Sequence, residues 1–232
     1  MGNEDLLYIE DGHNRKLFYR FTPAAVVSNF VPLVVILHGE EKMDALHFEY
    51  KMWNVLTPLD NFGVENRGSC WLGENGDFFV KDLLQKLIQQ ISEEYECEDD
   101  IYLYGSSIGG YGAILHGILS KANAVFVQTP RMKLLDTNET DSVKKHFYTS
   151  IFGKIVSKEN DLNNFLNAID SFPVFYLCDD DNRLKDETTY FVDQCKKHAI
   201  EVRLDFCQTV GESPNHILKK VLDMFERMTS KA

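Results

Sequence analysis

Ile101-Tyr102-Leu103-Tyr104-Gly105-Ser106-Ser107-Ile108-Gly109-Gly110-Tyr111-Gly112-Ala113 is the stretch that decides how this chain folds. Its first four residues are a short apolar run of the kind that forms a buried strand, and 108–119 reads as a helix of small and apolar residues. At the junction, Gly105-Ser106-Ser107-Ile108-Gly109 fits G-x-S-x-G, a sharp strand-to-helix turn that lifts one serine hydroxyl into a cleft. The two glycines lack a Cβ, which lets strand and helix close around a residue held in an unfavourable backbone conformation. Ser107 is therefore the candidate nucleophile. The alternative, a phosphate-binding turn, needs G-x-G-x-x-G or Gly-Lys-Ser/Thr, and neither is present.

Working outward, the flanking segments alternate between strand and helix patterns. The N-terminus reads as a hairpin, with strands at 6–9 and 17–21 around the turn Asp11-Gly12-His13-Asn14. The aliphatic run Leu33-Val34-Val35-Ile36-Leu37 has the character of a strand covered on both faces, and it ends in His38-Gly39. A short strand is expected at 53–56, then a glycine-rich loop over 63–76. A long helix follows with Asp77 as its N-cap, its apolar stripe formed by Phe79, Leu83, Leu84, Leu87, Ile88, Ile91 and Tyr95. After the elbow come strands at 124–127, 174–177 and 200–206 and helices at 187–198 and 217–228. Residues 128–171 are more polar and irregular, with helical stretches near 142–152 and 161–169. The pattern predicts a single α/β domain over 1–232, with a mostly parallel sheet, helices on both faces and 128–171 as an insertion that caps the site.

Composition narrows the function. Lys plus Arg is 24 and Asp plus Glu is 36, a net charge of −12. With no basic cluster, an acidic chain of this kind argues against nucleic acid or an anionic membrane surface as a partner. No apolar stretch reaches the roughly 18 residues of a membrane span, and Met1-Gly2-Asn3-Glu4-Asp5 lacks the marks of a secretory signal. The expected address is the cytoplasm. Five scattered cysteines (Cys70, Cys97, Cys178, Cys195, Cys207) show no C-x-x-C pair or Cys/His cluster, so neither a disulfide framework nor a zinc site is expected. No metal or other cofactor is called for.

A serine hydroxyl becomes a nucleophile only when a base takes its proton. Hydrolases built on this elbow carry the partners in the order serine, acid, histidine. Of the histidines after Ser107, His116 lies inside the elbow helix and His146 precedes the strand that should carry the acid. His198 falls before a strand, at the wrong end of the sheet. His216 follows the last strand through a loop, where ligands gather in open α/β sheets, and is the expected base. The acid belongs after the strand at 174–177, where Cys178-Asp179-Asp180-Asp181-Asn182 begins. Asp181 is favoured, with Asp180 and Asp179 as alternatives, to orient the imidazole and stabilise the imidazolium. The oxyanion donors are the backbone N–H of Ile108 and one from the loop His38-Gly39-Glu40, with Glu40 or Gly39 as its source. His38 is expected to orient that loop. Trp71 and Phe62 are expected in core or loop packing.

The segment Tyr104 to Ala113 resembles the elbow of α/β-hydrolase serine esterases, especially the esterase D and feruloyl-esterase-like group, and 79–104 resembles the helix and strand that lead into it. It is also similar to hydrolase-fold proteins of the bacterial accessory secretion system and related glycan-pathway hydrolases. The likeness spans about residues 76–117 and is topological elsewhere. It implies the α/β-hydrolase fold and a Ser-His-Asp esterase or deacylase without cofactor. The expected activity is hydrolysis of a small or carbohydrate-borne carboxylic ester through an acyl-enzyme. Acyl transfer or thioester cleavage with the same triad is the alternative, as is a non-catalytic role in glycan modification or export.

Overall fold

The aliphatic run at 33–37 forms strand β3 (Leu33–Leu37), and all five of its residues are buried. Alternate side chains enter two different cores, which is why the run carries no polar face. Leu33, Val35 and Leu37 belong to the larger core, while Val34 and Ile36 belong to the smaller one. The computed structural model describes residues 6–25, 31–39, 48, 50–135, 142–154, 157–167, 171–178, 185–205 and 214–229, with backbone alone at 143–144, 185, 205, 214–216 and 228–229.

The other strands are β1 (Leu7–Glu10), β2 (Lys16–Thr22), β4 (Asn54–Leu59), β5 (Ile101–Ser106), β6 (Ala124–Gln128), β7 (Val174–Cys178) and β8 (Val202–Asp205). They form one sheet in the order β1-β2-β4-β3-β5-β6-β7-β8. The β1–β2 and β2–β4 pairs are antiparallel, and all the others are parallel. The expected parallel sheet with an antiparallel N-terminal hairpin is therefore present.

The helices are α1 (Phe79–Glu94), α2 (Ile108–Leu119), α3 (Ser142–Phe152), α4 (Lys185–Lys197) and α5 (Pro214–Thr229). Helices α1, α2 and α4 contribute to the larger core, as in Leu84, Tyr111 and Phe191. Helix α5 covers the opposite face with Ile217, Leu218, Val221, Leu222 and Phe225. Phe225 is fully buried, and its ring centroid lies 4.8 Å from Tyr102 and 6.1 Å from Trp53. No described helix is long and apolar enough to cross a membrane.

Some local expectations change. Asp77 does not cap α1: the N-cap is Phe78, with no side-chain cap. The Asp77 carboxylate is instead drawn to Arg15 on the hairpin, 2.5 Å away, which outcompetes the helix end for it. Of the helix expected at 161–169, the described part forms only a 3-10 turn, Leu162–Phe165, because the backbone there is recruited sideways, and 168–169 lie outside the described residues. The Leu162 N–H donates to the Met132 carbonyl at 3.0 Å, and Lys133 bridges Asp161. The segment between β6 and β7 also grips the glycine-rich loop, with Asn75 and Gly76 donating to the Ser150 and Ile151 carbonyls. Lys81 on α1 meets the buried Glu159 at 2.7 Å.

Connectivity fixes where chemistry can occur. After β3 the chain moves outward to β4, then crosses to β5 on the other side of β3. The chain therefore leaves β3 and β5 toward opposite sides of the sheet, and their C-terminal ends form its switch point, the place where α/β sheets bind ligands.

Phe225→Ala should remove about 3–5 kcal/mol of unfolding free energy in a urea titration, the usual cost of an aromatic cavity in a core. An unchanged midpoint would show that α5 does not seal this face.

Candidate active site

Ser107 occupies the turn between β5 and α2 with φ 53° and ψ −120°, a region that costs a non-glycine residue about 1–3 kcal/mol. It is exposed, whereas Gly105 and Ile108 are buried. Local backbone bonds hold it there. Its N–H donates to the Gln128 carbonyl at 3.0 Å, and its carbonyl accepts from Gly110 and Tyr111 at 3.0 and 3.3 Å. The flanking glycines are required by contact. A Cβ on Gly105 would lie 2.1 Å from the Gly109 carbonyl oxygen, and one on Gly109 would lie 2.3 Å from that of Leu37. The Ile108 N–H stands at the start of α2, where a helix offers no internal acceptor.

The loop after β3 lies against this turn. An added Cβ on Gly39 would sit 3.0 Å from the Ser106 carbonyl oxygen and 3.7 Å from Ser107 Cβ. His38 is 4% exposed and orients the loop as expected. Its Nε2 accepts the Asp60 N–H at 3.0 Å, which leaves the proton on Nδ1 to donate to the Gly39 carbonyl at 2.7 Å. Glu40, the preferred second oxyanion donor, lies outside the described residues.

Sequence reasoning missed Asp60, a buried carboxylate that organises the glycine-rich loop. It accepts the Ser69 N–H at 2.6 Å, the Trp71 N–H at 2.9 Å and the Ser69 hydroxyl at 3.1 Å. The available signal was an aspartate directly after a buried strand and ahead of a glycine-rich turn, the setting in which Asp bonds nearby backbone N–H groups. The loop so fixed sets Trp71, fully buried, against the His38 ring at 4.8 Å. Phe62 packs edge-on to Phe79 at 4.8 Å. Both aromatics are thus in packing roles.

His116, within the elbow helix, ties it to the residues packed behind it. It is wholly buried, its Nδ1 receives Gln85 Nε2 at 2.8 Å, and its Nε2 faces the Trp71 carbonyl at 3.1 Å. Burial pushes its pKa down to about 4, against the opposing pull of the Trp71 carbonyl. It is a neutral structural histidine. His146 is exposed on α3, and His198 follows α4 at the opposite end of the sheet.

The remaining partners are approached through the sheet register. Ser106, Gln128, Cys178 and Asp205 pair in one row across β5, β6, β7 and β8. One residue beyond that row come Ser107, Thr129 and the start of the aspartate run. The Thr129 N–H donates to the Cys178 carbonyl at 2.7 Å, tying the rim together. With strands about 4.8 Å apart, the chain carrying the acidic run leaves the sheet about 10 Å from Ser107. Asp179, Asp180 and Asp181 lie outside the described residues. His216 falls in the first turn of α5 by its backbone, and its side chain also lies outside them. Contrary to the sequence expectation, Cys178 is disulfide-bonded.

No protein-family model and no curated protein sequence matches this chain. Solved structures do match. FphF, a fluorophosphonate-binding serine hydrolase of Staphylococcus aureus in a substrate-bound form, aligns with TM-score 0.71 and 13% identity over 95% of this chain and 96% of its own. The capsule O-acetyltransferase of Neisseria meningitidis serogroup A, in complex with CoA, aligns with TM-score 0.67 and 18% identity, covering 95% of this chain and 94% of its own. The glycosylation-associated Gap123 complex of Streptococcus agalactiae aligns with TM-score 0.64 and 18% identity, covering 97% of this chain but 46% of that one. At these identities the likeness is one of fold.

Keeping His116 neutral links stability to pH. Its folded pKa lies below the unfolded value of about 6.5, so the unfolded chain binds the proton first as pH falls. The contribution is present above pH 6.5 and is lost between there and about pH 4. From pH 7 to 4.5 the wild type should lose about 2–3 kcal/mol more than His116→Gln in urea titrations. Parallel losses would contradict the assignment.

Proposed function

We propose that this chain, which has the α/β-hydrolase fold, is a serine hydrolase that cleaves a carboxylic ester through an acyl-enzyme. The observation that carries this reading is Ser107 itself. It is an exposed serine in a strained turn between the buried Gly105 and Ile108, at the switch point of the sheet. Strain of this kind persists only where surrounding structure enforces it, and it concentrates at active sites.

In the proposed reaction His216 removes the Ser107 proton as the hydroxyl oxygen attacks the ester carbonyl. Asp181 orients the imidazole and stabilises its charged form, with Asp180 and Asp179 as the other candidates. The backbone N–H of Ile108, and that of Glu40 or Gly39, receive the developing oxyanion. His216 then protonates the departing alcohol, and water releases the acyl group by the same steps in reverse order. The chain forms one domain, with 128–171 as a cap over the site. The proposed substrate is a small polar or carbohydrate-borne ester, since a chain of net charge −12 suits neither nucleic acid nor an anionic membrane surface.

A second reading, acyl transfer, is favoured by the full-length likeness to an O-acetyltransferase solved with CoA. It keeps Ser107 and the acyl-enzyme and replaces water by another acceptor.

A fluorophosphonate probe should label the wild type and leave Ser107→Ala unlabelled; equal labelling of both, or of neither, would overturn the reading. Ester hydrolysis should fall below about pH 6–7 as the histidine base protonates. A profile flat to pH 4 would remove histidine from the mechanism. Among Asp179→Asn, Asp180→Asn and Asp181→Asn, one should lose about 10⁴-fold in kcat. Three equal, small effects would place the acid elsewhere.

A further inference from the structure

Ser107 has a counterpart on the neighbouring strand. Thr129, the residue that follows β6, also stands at positive φ, 47°. The two occupy equivalent places. Ser106 and Gln128 are register partners, and the next N–H on each chain closes a ladder bond. Ser107 donates to the Gln128 carbonyl at 3.0 Å, and Thr129 donates to the Cys178 carbonyl at 2.7 Å. Thr129 therefore stands one strand spacing, about 5 Å, from Ser107.

This conformation opposes the local sequence twice. A β-branched residue at positive φ is an outlier where glycine would be at ease. Thr129 also precedes Pro130, and a residue before proline belongs at extended φ, about −120°. Packing enforces the strain from both sides. The Thr129 N–H is held by Cys178, and Pro130 lies against the first turn of α2, where a Cβ on Gly110 would sit 3.1 Å from Pro130 Cβ. Strain that the surroundings over-determine in this way concentrates at active sites and ligand clamps. Val127 and Pro130 are buried, while Thr129 keeps part of its surface open.

We propose that Thr129 is a specificity-determining residue, the wall that bounds the ester site on the β6 side and limits the size of the ester that reaches Ser107. This rests on the reading of Ser107 as the nucleophile. The loop after β3, proposed to supply an oxyanion donor, flanks Ser107 on one side, where a Cβ on Gly39 would lie 3.7 Å from Ser107 Cβ. Strand β6 flanks it on the other. An ester carbonyl whose oxygen faces the β3 loop turns its acyl and alcohol groups away from that loop, and one of them passes Thr129. Clamped by Cys178 and by α2, Thr129 does not swing aside, so it sets a sharp limit. A methylene gained or lost in such a contact changes kcat/KM about 10–200-fold.

The test compares the full chain with Thr129→Gly, Thr129→Ala and Thr129→Val on two series, p-nitrophenyl acetate to hexanoate and methyl acetate to benzyl acetate. Fluorophosphonate labelling and urea titration accompany the kinetics. In Thr129→Gly and Thr129→Ala, kcat/KM for the largest ester relative to the smallest should rise about tenfold in one series. Thr129→Val, which keeps the shape and drops the hydroxyl, should stay within about twofold of wild type. The urea midpoint of Thr129→Gly should be no lower than that of wild type, because relief of strain offsets the added freedom of the unfolded chain. A lower midpoint would overturn the strain on which the wall depends. Unchanged ratios in both series, in variants that take the probe and hydrolyse the esters, would overturn the role of Thr129 and leave that of Ser107 standing. A wild type that neither takes the probe nor hydrolyses an ester would overturn the reading of Ser107 itself.

Discussion

The close approach of β5 and α2 around Ser107 is the constraint on which the rest of this structure depends. With no Cβ on Gly105 or Gly109, the helix backbone comes down onto the strand and onto the Leu37 and His38 carbonyls of β3 and its loop. That contact fixes the crossing of three neighbouring segments and holds Ser107 at positive φ. The strain of about 1–3 kcal/mol is offset by hydrogen bonds from both sides of the turn and by the buried wall behind α2. Tyr111 and His116 of α2 pack there beside Trp71, and Tyr111 donates from its hydroxyl to the Glu159 carbonyl of the segment between β6 and β7. Distant parts of the chain thus converge on keeping one serine in an unfavourable conformation.

Buried polar groups perform a related task in the surrounding loops. The Asp60 carboxylate satisfies backbone N–H groups at Ser69 and Trp71 that a loop folded inward would leave without water. His38 links the Asp60 N–H to the Gly39 carbonyl and so couples the glycine-rich loop to the segment proposed to supply an oxyanion donor. Main-chain bonding of this kind fixes the loop beside Ser107 in advance, as the proposed oxyanion site requires.

Much of the fold was legible because its signals are local. The run at 33–37 and the helix at 108–119 coincide with their observed bounds, since an unbroken aliphatic stretch and an elbow glycine pattern each have one good structural solution. The stripe from Phe79 to Ile91 faces the core as its spacing implied. What escaped depends on partners far away in sequence. Asp77 looks like a helix cap until Arg15, 62 residues earlier, takes its carboxylate. Residues 161–169 look helical until Met132 and Lys133 draw the backbone into cross-chain bonds. Cys178 looks like one of five scattered thiols, because spacing along the chain does not reveal that it is disulfide-bonded. At the candidate site, the proposed nucleophile Ser107 could be read from five adjacent residues. Asp60 could not, because its role rests on which N–H groups the folded loop turns inward.

The account stands or falls on whether Ser107 carries the acyl group during turnover. The direct measurement is to quench a reaction with an activated acetyl ester within the first turnover at acid pH and map the acylated peptide by mass spectrometry. One acetyl group per protein, located on Ser107 and formed in a burst equal to the protein concentration, is the predicted result. Turnover without a trapped adduct, or an adduct on another residue, would contradict it.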